Sequence, residues 1–132
     1  DYRLQGNDEI LVVLQTESPE GIENAEEIYS LPGCDAIFIG PNDLRFQMRE
    51  EDGTFPTPEA HEAAIQEVIQ IGKKTGCPTG IHAMDPVSAV QRAEQGMQFI
   101  AVESDLKFLT SQATAALKVV YPDHDAGDVV RY

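Results

Sequence analysis

Four short apolar runs, each closed by polar or glycine residues and each followed by a helix-period stretch, constrain this chain more than any other feature. The first, Ile10-Leu11-Val12-Val13-Leu14, is unbroken and suits a strand buried on both faces. It ends in Gln15-Thr16-Glu17. Ser18-Pro19 then supplies an N-cap and a first-turn proline, and Ile22, Ala25, Ile28 and Tyr29 keep helical spacing until Pro32-Gly33. Ala36 to Ile39 reads as the second strand, ending at Gly40-Pro41. A polar loop of about a dozen residues is expected next, leading to Thr57-Pro58 and a helix carrying Ala64, Ile65, Val68 and Ile71 up to Gly76. Thr79 to Ala83 is the third strand, and Asp85-Pro86 opens a helix with Val87, Val90 and Ala93, closed by Gly96. Phe99 to Val102 is the fourth strand. Asp105 is expected to cap a last helix carrying Phe108, Leu109, Ala113, Ala116, Leu117 and Val120.

Four consecutive strand-helix units with buried strands specify a parallel α/β sheet. An open doubly wound sheet and half of an eight-stranded barrel both satisfy the pattern. In either, ligands gather where strands end and helices begin. With 42% hydrophobic and 24% charged residues in 132, one globular unit is expected. It should occupy residues 1–120, with 121–132 a polar tail.

Charge narrows the partners. Against 23 acidic residues stand 9 basic ones, a formal net charge of -14, the opposite of what a phosphate-backbone binder requires. Nucleic acid is excluded on that ground, and an acidic surface disfavours anionic membranes. No apolar run approaches the roughly 18 residues of a spanning helix. Residues Asp1 to Gly6 show no secretory pattern. Cys34 and Cys77 have no CxxC or Cys/His spacing, which argues against a zinc site or a disulfide framework, so two reduced, structural thiols and a cytoplasmic location are expected.

The strand ends carry Glu17, the turn Gly40-Pro41-Asn42-Asp43, His82 and Glu103-Ser104-Asp105. If the first two strands are neighbours, about 4.8 Å apart, Glu17 and Asp43 share a rim, and one hard divalent cation can bridge them. Spacing alone leans instead towards helix-capping or solvated carboxylates, since acidic residues favour helix N-termini. The Gly-Pro turn can direct the N–H groups of Asn42, Asp43 and Leu44 outward as a cradle for a carboxylate, or be an ordinary turn. His82 reads more readily as a hydrogen-bonded structural residue than as an acid or base. Arg45 to Asp52 suits either a lid or a solvated excursion.

Two stretches together, Val13-Leu14-Gln15-Thr16-Glu17-Ser18-Pro19-Glu20-Gly21-Ile22-Glu23-Asn24 and Asp35-Ala36-Ile37-Phe38-Ile39-Gly40-Pro41-Asn42-Asp43-Leu44, resemble the HpcH/HpaI-type class II aldolases. Gly80-Ile81-His82-Ala83-Met84-Asp85-Pro86 and Gly96 to Val102 extend the likeness, which runs from Asn7 to about Val120. The resemblance implies a (β/α)8 barrel, of which this chain supplies strands five to eight. It implies an enzyme that makes or cleaves 4-hydroxy-2-oxo acids through a pyruvate enolate. Glu17 and Asp43 become ligands of a divalent metal, Mg2+, Mn2+ or Co2+. Gly40, Pro41, Asn42 and Asp43 become the cradle for the carboxylate of a pyruvate-like 2-oxo acid. A homo-oligomer is also expected. The family's catalytic Arg and its His-based proton-transfer group belong to the first four strands, outside the matched stretch, so no catalytic residue is assigned here and the chain alone is expected to be inactive.

Three positions depart from the family: Arg45 where Ser is usual, Glu103 where Gly is usual, and His82 where an aliphatic residue is common. The resemblance therefore carries over the metal pair and not a particular substrate. Lyases of the citrate-lyase β-subunit or malyl-thioester type, with a similar Glu/Asp pair, are the alternative enzyme. A non-catalytic metal-binding fragment is the alternative of another class.

Overall fold

The computed structural model describes residues 2–122. A first helix, α1 (Tyr2–Glu9), which the apolar pattern did not announce, leads to β1 (Val13–Thr16), α2 (Pro19–Glu23), α3 (Ala25–Tyr29) and β2 (Ala36–Ile39). Then come α4 (Pro41–Gln47), α5 (Pro58–Thr75), β3 (Thr79–Ala83), α6 (Pro86–Glu94), β4 (Phe99–Val102) and α7 (Asp105–Val120). All strands pair in parallel in the order β1-β2-β3-β4. A doubly wound sheet reverses its strand order at a switch point, and this one does not. The order is that of half an α/β barrel.

Alternation along the strands divides the two faces. Ile37 and Ile39 of β2 and Ile81 of β3 are buried, and with Ile22, Ala25 and Tyr29 of α2 and α3, Leu44 of α4, and Ile65, Val68 and Ile69 of α5 they form one core between sheet and helices. Full burial of each large aliphatic side chain contributes about 1.5–3 kcal/mol. Phe38, Gly80 and Phe99 are in register across β2, β3 and β4 on the opposite face. The two rings meet there with centroids 5.3 Å apart. Gly80 permits this, because a Cβ on it would overlap the Phe99 carbonyl oxygen and lie 2.9 Å from Phe99 Cβ.

Helix starts follow the expected chemistry. Thr57 caps α5 through Ala60 N at 3.2 Å, and Asp85 caps α6 through Ser88 N at 2.8 Å. Gly76 ends α5 in the left-handed conformation at φ 77°. Arg92 of α6 grips Glu62 of α5 through its two terminal guanidinium nitrogens, each at 2.6 Å, which holds the Glu62 carboxyl below its ordinary range.

Several expectations need correction. The first strand begins at Val13, and Ile10 and Leu11 are exposed rather than buried. The pairing starts there because Asp35 Oδ2 takes the Val12 N–H at 2.7 Å and the Asp35 N–H reaches Val12 O at 3.0 Å, closing the ladder at that point. The helix after β1 is broken in two at Asn24. The expected polar loop after Gly40 opens instead as α4, started by Pro41 at its first position. Beyond it a turn at Glu50 to Thr54 is closed by Gly53 N to Glu50 O at 2.8 Å and Glu50 N to Thr54 O at 3.0 Å. Arg49 stacks over Phe46 at 3.4 Å, and Arg45 over Phe55 at 5.0 Å. Cys34 and Cys77 are free thiols, as expected, and the fold brings their Sγ atoms to 3.8 Å from each other.

The chain divides into two compact units, the first ending at Val102 and the second starting at Glu103. In the second, Ser104 and not Asp105 caps α7, accepting from Lys107 N at 3.2 Å. Asp105 takes the Leu106 N–H at 2.7 Å. Glu103 adopts φ 53°, a left-handed conformation in which glycine is at ease, and its carboxylate pairs with Lys107 Nζ at 3.1 Å. Leu109 and Val119 of α7 are largely exposed. Most of the tail expected over 121–132 lies outside the described residues.

Candidate metal and carboxylate site

Glu17 follows β1 directly, and Gly40 follows β2. Because Thr16 is in register with Ile39, these two residues come level at the C-terminal end of adjacent parallel strands. Thr16 faces the core, where its Oγ1 meets Tyr29 Oη at 2.8 Å, so Gln15 and Glu17 take the other face. Gln15 Nε2 donates to Glu17 Oε1 at 2.9 Å. Asp43 stands in the first turn of α4. The two carboxylates converge on Gly40: a Cβ there would overlap Glu17 Oε1, lie 2.9 Å from Glu17 Cδ and 3.3 Å from Asp43 Oδ2. The space that any other residue's side chain would take is held by two acidic groups.

That arrangement fits a hard divalent cation. Two oxygen donors from neighbouring elements leave other positions open to water or a small oxygen ligand, as Mg2+ and Mn2+ accept. Among the described residues no group of three His, Cys, Asp or Glu forms a closed cage.

Of the three amides expected to face outward, one is engaged within the helix. Leu44 N–H donates to Gly40 O at 2.9 Å within α4 and so points along the helix. Pro41 has no N–H, which leaves the amides of Asn42 and Asp43 at the helix start. Asn42 Nδ2 reaches Met84 Sδ at 4.0 Å, a contact between the turn and the residue after β3.

One residue here carried no sequence signal. His61 in the first turn of α5 lies 2.9 Å through Nε2 from the Pro41 carbonyl. A carbonyl only accepts, so Nε2 carries the hydrogen. The bond ties α4, two residues before Asp43, to the long helix α5. His82 shares the sheet face of Gln15, two strands away on β3, with Ala101 as its register partner on β4. Glu103 and Asp105 belong to the second compact unit.

A family model described as HpcH/HpaI aldolase/citrate lyase matches residues 2–112. The chain belongs to that family. Among curated relatives it is 32% identical over 120 residues to a hydroxypyruvate/pyruvate aldolase of Paraburkholderia phytofirmans, covering 91% of this chain and 45% of the relative. It is 39% identical over 106 residues to a 5-keto-4-deoxy-D-glucarate aldolase of Klebsiella pneumoniae, covering 80% and 41%. A solved HpcH/HpaI aldolase/citrate lyase family protein from Burkholderia cenocepacia superposes with a TM-score of 0.81 at 34% identity, over 91% of this chain and 46% of that one. This HpcH/HpaI chain thus spans a little under half the length of the relatives it matches, in keeping with a C-terminal half-barrel.

Proposed function

We propose that this chain contributes the metal-binding half of a carbon-carbon lyase, an aldolase that acts on 4-hydroxy-2-oxo acids. The observation that carries the reading is the convergence of the Glu17 and Asp43 carboxylates on Gly40. Names borne by the relatives, hydroxypyruvate/pyruvate aldolase and 5-keto-4-deoxy-D-glucarate aldolase, supply the substrate class.

In this reading Glu17 and Asp43 hold Mg2+, Mn2+ or Co2+. The bound cation supplies Lewis-acid stabilisation of negative charge developing on the keto oxygen of a 2-oxo acid. The amides of Asn42 and Asp43 receive the carboxylate of that acid, a pyruvate-like anion, at the start of α4. Gln15 holds one Glu17 oxygen, so that carboxylate is oriented before the cation arrives. Phe38 and Phe99 form an apolar pair on the same sheet face as Gln15 and Glu17. Proton transfer is assigned to the other half of the barrel, which four further strand-helix units would complete.

The half-barrel extends in this proposal through residue 120, α7 included, with 121–132 a tail. The open edges of β1 and β4 call for covering strands. The exposed apolar side chains of α7 favour a homo-oligomer. A cytoplasmic setting accords with the free thiols. No helix among the described residues is long and apolar enough to cross a membrane.

Calorimetric titration with Mn2+ tests the site directly: one cation should bind, and Glu17→Gln and Asp43→Asn should each abolish it. Unaltered affinity in both variants would refute the assignment. Pyruvate release from 4-hydroxy-2-oxo acids by the full-length protein, lost in the same variants, tests the reaction.

A further inference from the structure

We infer that Cys34 and Cys77 form a reversible disulfide within the chain, made by exchange with a low-molecular-weight disulfide such as oxidised glutathione, at the end of the sheet opposite Glu17 and Asp43. The two residues are 43 positions apart, yet their Sγ atoms lie 3.8 Å from each other. Cys34 stands two residues before β2 and Cys77 two before β3, and these strands are adjacent and parallel. Between them Ile37 N–H donates to Pro78 O at 2.8 Å, which holds the two segments side by side at the level of the thiols.

A disulfide requires the sulfurs to close to about 2.05 Å, a movement of less than about 2 Å from here, within reach of side-chain rotation and small backbone shifts. The local backbone is built to allow it. Each cysteine follows a glycine in the left-handed conformation, Gly33 at φ 89° and Gly76 at φ 77°, and nothing lies within 4 Å of where a Cβ on either would stand. Little hydrogen bonding is lost on closure, because the polar contacts of the thiols besides their own are weak, Cys34 Sγ to Ala36 O and Cys77 Sγ to Pro78 O, each at 3.9 Å.

The order of events follows from exposure. Cys77 is 6% exposed, and burial, with Cys34 beside it, pushes its thiol up to about 11. Cys34 is only half-buried and is met first by a reagent from solvent. Its thiolate attacks one sulfur of the small disulfide, forming a mixed disulfide and releasing one thiolate. Cys77, having lost its proton, attacks the Cys34 sulfur and expels the second thiolate. Two protein thiols are oxidised, one small disulfide becomes two small thiols, and the two protons from the cysteines end on them. The bond clamps β2 to β3 at the rim remote from the carboxylates and leaves that site clear. It does not depend on the aldolase reading.

The test is intact-mass and peptide mass spectrometry, without reduction, of the chain exposed to oxidised glutathione under native conditions. The expected product is a single covalent chain with no disulfide to a second copy, carries no glutathione, lacks two hydrogens, joins the Cys34 and Cys77 peptides, and reverts with dithiothreitol. Cys77→Ser should stop at a glutathione adduct on Cys34. In the wild-type chain, shown folded by circular dichroism, a persistent adduct on either cysteine, disulfide-linked dimers, or two unreacted thiols would overturn the inference.

Discussion

His61 Nε2 and the Pro41 carbonyl, 2.9 Å apart, join the helix that carries the core to the turn that carries Asp43. Replacing His61 by Leu removes the donor and leaves Asp43 and its amide where they are only loosely held. A neutral hydrogen bond is worth about 0.5–1.5 kcal/mol, so Mn2+ affinity should fall by up to about tenfold. His61→Gln, which keeps a side-chain N–H, should recover part of it. Calorimetric titration of the three proteins checks this, and equal affinities would show that the bond does not support the site.

Gly40→Ala separates site from fold. The backbone there, at φ -90° and ψ 95°, accepts alanine, so the added methyl meets chiefly the movable end of Glu17. Thermal stability should change by less than about 1 kcal/mol. Cation affinity should fall at least about tenfold, since Glu17 must leave the point it shares with Asp43. A melting curve and a Mn2+ titration on the same sample decide it.

Gly80→Ala should do the reverse. Its Cβ meets backbone and not a mobile side-chain end, at the Phe99 carbonyl oxygen, and it also presses on Phe99 Cβ, 2.9 Å away. Overpacking of this kind costs about 1–3 kcal/mol, to be read as a lower urea midpoint.

Tyr29 gives the fold an alkaline limit. Its hydroxyl is buried and pushed up to about 12 by loss of solvent, with the bond to Thr16 acting the other way. A raised folded-state value means stability that is complete below the ordinary tyrosine value near 10 and is lost as pH climbs towards 12. The loss is of the order of 2 kcal/mol. Tyr29→Phe should flatten this part of the stability curve, measured by urea unfolding between those values. The same change should lower stability at neutral pH by about 1–2 kcal/mol, because Thr16 Oγ1 keeps no buried partner. Cys77, also raised, contributes in the same direction and should remain in the variant.

Legibility in the sequence followed range. β2, β3 and β4 fall on the residues that the apolar runs marked, and α5 starts and stops at its Thr57 and Gly76 signals. These depend on neighbours in sequence. β1 slipped because Ile10 to Val12 are apolar without being paired as strand, and hydrophobicity does not say which apolar residues join a ladder. α4 was hidden by its polar composition and declared only by Pro41 at its start. The Glu17 and Asp43 pairing needed strand adjacency, which periodicity leaves open and the order β1-β2 supplies. His61 and the two cysteines met partners 20 and 43 residues away, and no local pattern records such meetings.

Gly40 has a further use as a diagnostic for reading other chains. Acidic letters at the positions of Glu17 and Asp43 are easily kept while the cavity between them is lost, since a single methyl on the intervening residue claims the same volume. In a survey of homologues the glycine column, and not the two acidic columns, should therefore sort chains able to house a cation from those that have drifted to other work.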